Sequence, residues 1–223
     1  SCDIGNEQEV KMMFETISAT NFEHSDSFYK NEFEDILRGV IVCYQCINSS
    51  GVKLPNGENK IRDEMLSKYL KNDSFKEKHF NLASYHFDKE TIENSGRSDI
   101  RILPVNPYVS DKAYYIIECK RLNNQNLSGT TGLNSEYVKN GICRFVSGFY
   151  SSYFGLNGMI AFVVDDLDIA DNIANLNSFL HKDLINDKQE TINAMAVHEI
   201  KQKELCENFR YSYTSTHKVS SEK

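Results

Sequence analysis

Ala113-Tyr114-Tyr115-Ile116-Ile117-Glu118-Cys119-Lys120-Arg121-Leu122 is an apolar run that ends in an acid and a base two residues apart. Its β-branched and aromatic residues predict a strand over 113–121. Side chains alternate faces along a strand. Glu118 and Lys120 therefore share a face with Tyr114 and Ile116, while Tyr115, Ile117 and Cys119 take the other. Upstream, Gly96-Arg97-Ser98-Asp99-Ile100-Arg101-Ile102 predicts a second strand over 97–103, in which Asp99 and Arg101 share a face. Residues 103–112 between them hold two prolines, an Asn and an Asp. That is a turn composition, and it folds the two strands into a hairpin with Asp99 beside Glu118.

Two carboxylates held close together repel unless a cation or a proton intervenes. Hard oxygen ligands suit Mg²⁺, or Mn²⁺ as its substitute, and these ions also bind phosphates. Such a metal lowers the pKa of a bound water and stabilises an in-line transition state. A lysine alongside orients that water or offsets charge on the phosphate. The chemistry this implies is hydrolysis of a phosphodiester. Glu-x-Lys occurs three times, at Glu58-Asn59-Lys60, Glu118-Cys119-Lys120 and Glu199-Ile200-Lys201. Only the middle copy ends a β-rich run with an Asp at hairpin distance upstream. The alternative for that copy is a surface ion pair at a solvated strand end.

Gly96-Arg97-Ser98-Asp99 followed by Ile117-Glu118-Cys119-Lys120-Arg121-Leu122 resembles the active-site signature of the PD-(D/E)XK nuclease superfamily. The likeness covers about residues 58–165, and Ser98 stands where that signature has a proline. It implies a restriction-endonuclease-like α/β fold, a central mixed β-sheet flanked by helices, here with extra N-terminal helices. It implies a metal held by Asp99, Glu118 and the Cys119 carbonyl, and a water positioned or activated by Lys120. A glutamate from the first core helix often joins the site. Glu58 is the candidate and Glu64 its competitor, and an acid favoured by the helix dipole is the plain alternative for either. The likeness further implies DNA as partner, products with a 5′-phosphate and a 3′-hydroxyl, and a place in restriction or phage defence. Double-strand cutting by this fold implies a homodimer or a partner subunit that supplies specificity.

The chain's 223 residues fit one domain. We divide it into a helical segment over 1–50, the common core over 58–165 and an extension over 166–223. The net charge of −7 argues against a basic DNA-coating protein but leaves room for a local basic groove. No leader pattern and no apolar run of membrane length stand in the sequence, which predicts a cytoplasmic protein with no membrane partner. Of the 6 cysteines, Cys43 and Cys46 form a C-x-x-C inside a helical stripe, so buried reduced thiols are expected.

Hydrophobic spacing predicts helices over 7–18, 27–47, 58–70, 135–153 and 169–184, and strands over 80–87 and 158–164, the last buried on both faces. The segment 191–206 reads as either strand or helix, and 209–216 as an edge strand. Polar, Gly-rich 123–135 directly follows Lys120, either as a loop that closes over substrate or as a plain connection. In the 135–153 helix, Tyr137, Gly141, Arg144 and Gly148 line one stripe. Two glycines there imply close approach to a neighbour. Arg144, with Lys139, Tyr137 and Arg121, forms the expected substrate-contacting set, and a buried partner for an acid is the alternative for Arg144. The competing expectation for the whole chain is a catalytically silent nuclease-fold module that binds nucleic acid or a protein.

Overall fold

The structure, a computed structural model, describes residues 25–79, 82–92, 96–105, 113–150 and 154–219. The expected helix at 7–18 and most of the 103–112 turn lie outside them. Helix α1 (Ser25–Ser49) buries Phe33, Ile36, Val40, Cys43 and Ile47, a stripe at three- and four-residue steps. Helix α2 (Glu58–Met65) starts after Gly57 and runs on as a π-helical turn, Leu66–Leu70. Its Ile61, Met65, Leu66 and Leu70 pack into the same core as the α1 stripe. A short helix α3 (Asp73–Lys78) follows, capped by the Asn72 side chain, which accepts from the Phe75 amide at 3.0 Å.

The central sheet has the strand order β1 (Tyr85–Ile92), β2 (Arg97–Pro104), β3 (Tyr115–Leu122), β4 (Asn157–Val163). The first three are antiparallel and β4 is parallel to β3. Parallel neighbours need a crossover. Helix α4 (Leu133–Tyr137), a π-helical turn (Val138–Ile142) and helix α5 (Cys143–Val146) lie within it. Beyond the sheet, helix α6 (Ile169–Leu180) is capped by Asp168, which accepts from the Asp171 amide at 3.0 Å. Two small antiparallel pairs complete the chain, β5 (Leu184–Ile185) with β6 (Thr191–Ile192) and β7 (Ala196–Gln202) with β8 (Tyr213–His217).

Strand β3 joins three apolar clusters. Tyr115, Ile117 and Cys119 belong to the one built on α1 and α2. Leu122 enters a second with Val138, Phe179 and Ile200, and Ile116 a third with Phe145 and Tyr150. The face alternation expected for this strand therefore holds.

Several element boundaries differ from expectation. The first strand begins at Tyr85 rather than near 80, because Leu82 is buried in a 3₁₀ turn and the ladder with β2 runs from Tyr85–Pro104 to Ile92–Arg97. The crossover helix ends at Val146 rather than 153, because Gly148 takes φ +68° and turns the chain out of the helix. Strand β4 is covered on both faces only at its start, where Met159 packs on the third cluster. It is an edge strand whose Ile160 and Phe162 pack on the first cluster while Ala161 and Val163 face outward. Helix α6 stops at Leu180 instead of 184, and 191–206 forms strands. Among the described residues, no helix is long and apolar enough to cross a membrane.

Candidate active site

One step beyond the Ile100–Ile117 pair of the β2–β3 ladder stand Asp99 and Glu118. The hairpin thus brings the two acids together. Glu118 is only 1% exposed. Three side chains hold its carboxylate: Lys120 Nζ donates to Oε1 at 2.7 Å, Arg144 to Oε1 at 3.0 Å, and the Tyr150 hydroxyl to Oε2 at 2.8 Å. Burial, then the nearby Asp99 charge, raise the Glu118 pKa above the ordinary carboxylate value, although Lys120 and Tyr150 pull the other way.

The Lys120 ammonium sits among three oxygens. Besides Glu118 it donates to the Cys119 carbonyl at 2.9 Å and lies 3.5 Å from Glu58 Oε1. Burial disfavours its charge, and Glu118 foremost, then Glu58 and Asp99, more than offset that, so its pKa stands above the ordinary lysine value. Lys120 is therefore a cation here, suited to holding a water or a phosphate oxygen. Its stem is packed close: a Cβ at Gly141 would stand 3.7 Å from Lys120 Cγ and 2.4 Å from Met159 Cε. The close approach expected of the glycine stripe is met at Gly141, whereas Gly148 serves the helix end.

Glu58 reaches the site from the first turn of α2, and its Oε2 accepts from the Arg121 amide at 3.1 Å. Glu64 points away and pairs with Lys68. Of the two candidate helix glutamates, Glu58 is the one brought to β3. The Arg121 guanidinium turns outward to Asn56 Oδ1 at 2.9 Å.

Asp99 carries a partner that sequence reasoning missed. Arg62, one turn after Glu58 on α2, is 1% exposed and donates to Asp99 Oδ1 at 2.6 Å. It also binds Asp63 Oδ1 at 3.0 Å and Glu90 Oε1 at 2.9 Å. The second oxygen of Asp99 accepts from the Cys119 amide at 2.8 Å. The i, i+4 spacing puts Arg62 on the same helix face as Glu58, but which strand that face meets is decided only by the fold. Tyr150 was also missed, and nothing in its local sequence marks it, since it lies beyond the glycine that ends the helix. Arg144 stands in the site, with its guanidinium 5.1 Å from the Phe149 ring centroid. Tyr137 and Lys139 do not reach it: Tyr137 packs against the second cluster, and Lys139 pairs with Glu136 at 2.5 Å.

Among the described residues, no three metal-ligating side chains of Asp, Glu, His or Cys are gathered around one point. Arg62 bridges Asp63, Glu90 and Asp99, Lys120 bridges Glu58 and Glu118, and Arg144 pairs with Glu118, so each site acid has a cation beside it. The donors facing Lys120 are nevertheless all oxygen, from Glu118, Cys119 and Glu58, and they converge on one positive centre. These, with Asp99, are hard oxygens of the kind Mg²⁺ and Mn²⁺ take, so the donors fit such an ion in kind, while in this structure Lys120 stands where the first three meet and Arg62 holds Asp99. No family model, no curated protein and no solved structure matches this chain.

Proposed function

We propose that this chain is a metal-dependent nuclease of the PD-(D/E)XK type that hydrolyses phosphodiester bonds of DNA. One observation carries the reading: a buried, charged lysine at the end of β3 is bound by the acid two residues before it and faces an acid of α2, with Asp99 hydrogen-bonded to the same strand. A surface ion pair does not account for it, because Glu118 and Lys120 are both buried. The order of helix, antiparallel meander, crossover and parallel strand supports the same reading.

Asp99, Glu118 and the Cys119 carbonyl would hold the ion, with Glu58 alongside. When bound, the ion would lower the pKa of a coordinated water and neutralise charge on the scissile phosphate. Lys120, kept charged by Glu118, orients the attacking water and offsets the charge that grows on the phosphate oxygens. Arg144, fixed to Glu118 and Tyr150, positions the same phosphate. The oxygen of water bonds to phosphorus and releases a proton to solvent, the bond from phosphorus to the 3′-oxygen breaks, and that oxygen takes a proton from solvent. The products carry a 5′-phosphate and a 3′-hydroxyl. Restriction or phage defence is the setting this chemistry fits, with a second copy or a specificity-supplying subunit as partner.

The test is cleavage of circular, linear and single-stranded DNA with Mg²⁺, Mn²⁺ or EDTA, run beside Lys120→Ala. Metal-dependent cutting that is lost in the variant supports the reading. Cutting by Lys120→Ala at the wild-type rate sinks it. DNA binding with no cutting by folded wild type moves the weight to a silent nucleic-acid-binding module.

A further inference from the structure

Lys120 holds two of the three groups that the nuclease reading gives to the ion. Its Nζ donates to Glu118 Oε1 at 2.7 Å and to the Cys119 carbonyl at 2.9 Å. The Glu58 carboxylate, alongside, lies 3.5 Å away. These oxygens come from β3 and from the first turn of α2, and the ammonium is the point on which they converge. Lys120 is 9% exposed and Glu118 1%, so little of this place is open to water.

Mg²⁺ binds oxygen at about 2.0–2.1 Å. An ion bonded to both Glu118 Oε1 and the Cys119 carbonyl competes with Nζ for the same lone pairs and the same space. It also brings a double positive charge beside a buried ammonium, where like charges are poorly screened. Ion and ammonium therefore exclude each other at this point. The other two cations of the site are placed differently. Arg62 is fixed by three acids, Asp63, Glu90 and Asp99. Arg144 binds the same Glu118 oxygen at 3.0 Å, but its second partner is the Tyr150 hydroxyl. Of the three, Lys120 is the one set where Glu118, Cys119 and Glu58 meet. Gly141 lies against its stem at Cγ, so a change of place falls to the bonds beyond that carbon.

We infer that Lys120 is a resident counter-ion: its ammonium holds the place of the divalent ion between Glu118, the Cys119 carbonyl and Glu58, and must leave it for the ion to bind. The inference rests on the proposed nuclease reading and deepens it by ordering its two cations. The ion takes the oxygens, and the ammonium it releases meets the water or the phosphate oxygen. Removing the lysine then tightens the ion while the chemistry is lost, so affinity and rate move in opposite directions.

The experiment is Mn²⁺ binding in the absence of DNA, read as free Mn²⁺ by electron paramagnetic resonance. Wild type is compared with Lys120→Met and Arg144→Met. Lys120→Met is expected to bind Mn²⁺ about tenfold or more tightly, a usual size for coupling between two ligands. Arg144→Met removes the same charge from the same acid without clearing the point, and is expected to tighten binding much less. Equal tightening in the two variants makes this a general charge effect and overturns the counter-ion. No tightening in Lys120→Met overturns it as well, as does Mn²⁺ binding by neither wild type nor that variant. Wild type supplies a reading that does not depend on how a variant folds. In protein labelled with ¹³C at lysine Cε, the Lys120 signal, assigned by its absence in Lys120→Arg, is expected to move when Mg²⁺ is added. A signal unmoved at Mg²⁺ levels that displace bound Mn²⁺ shows that the ammonium stays, and overturns the inference. The separate cleavage assay tells the two readings apart. Cutting by wild type with no gain of Mn²⁺ affinity in Lys120→Met removes the counter-ion and leaves the nuclease. That gain in a chain that never cuts keeps the counter-ion and removes the nuclease.

Discussion

Lys120 and Arg62 occupy the same kind of place and invite opposite experiments. Lys120 shares Glu118 with Arg144 and Tyr150, so removing its ammonium does not leave the buried acid alone. Lys120→Met is expected to cost about 1–3 kcal/mol, the range for a hydrogen bond to a charged group, and to lower cleavage by about a hundredfold or more. Thermal melts beside single-turnover cleavage check both halves. Full activity in a folded variant removes Lys120 from the chemistry. Arg62 instead is the common cation of Asp63, Glu90 and Asp99. Arg62→Met leaves Asp99 with only the Cys119 amide, and breaking a buried pair from one side costs about 3–5 kcal/mol. A Tm lower by about ten degrees is expected at this chain length. A melt within a degree of wild type shows that these carboxylates are solvated without it. The Glu118–Lys120 pair was legible because its spacing coincides with a strand's face repeat. Arg62 was not, because its meaning depends on which strand end α2 happens to cross.

At the scale of elements, the meander and the crossover were legible from alternation and from the apolar run after the helix. The errors gathered where tertiary contact or a single backbone angle decides: the 3₁₀ turn at Leu82, the left-handed Gly148, the exposed outer face of β4. β8 overlaps the expected edge strand, whereas β7 was undecided in the sequence, and its register against β8 is irregular between Ala196 and Lys201. The β7–β8 pair also carries a titratable latch. His217 Nδ1 donates to the Ala194 carbonyl at 2.8 Å, which leaves Nε2 to accept from the Ser215 hydroxyl at 2.8 Å. Burial lowers the His217 pKa below its ordinary value of 6.5, more than the carbonyl raises it. A depressed folded-state pKa means that the stabilisation is complete above the unfolded value and is lost as pH falls through the folded one. Between about pH 7.5 and pH 5 the Tm of wild type is expected to fall by more than that of His217→Gln, by a few degrees. Parallel pH dependence in the two proteins shows that this ring is not buried in the neutral form.

Over the whole molecule, β3 is the element that every apolar cluster shares, through Ile117, Leu122 and Ile116. The candidate ligands stand on it or against it: Glu118 and Cys119 within the strand, Asp99 on its neighbour and Glu58 on the helix across its end. An ion bound there ties β2, β3 and α2 together, and unfolding of any of the three clusters disturbs it. Ligand bound only to the native state stabilises by mass action, about 2.7 kcal/mol at a hundred times the dissociation constant. For a domain of this size that is about 5–10 °C in Tm. Mn²⁺ or Mg²⁺ is therefore expected to move a single melting transition upward by that amount, in the absence of DNA and independently of cleavage. Asp99→Asn and Glu118→Gln are each expected to reduce the shift to a degree or less. A shift as large in Asp99→Asn and Glu118→Gln as in wild type puts the ion elsewhere on the chain and takes the metal from this site. A shift confined to one of two resolved transitions shows instead that the clusters melt separately, and that β3 does not couple them.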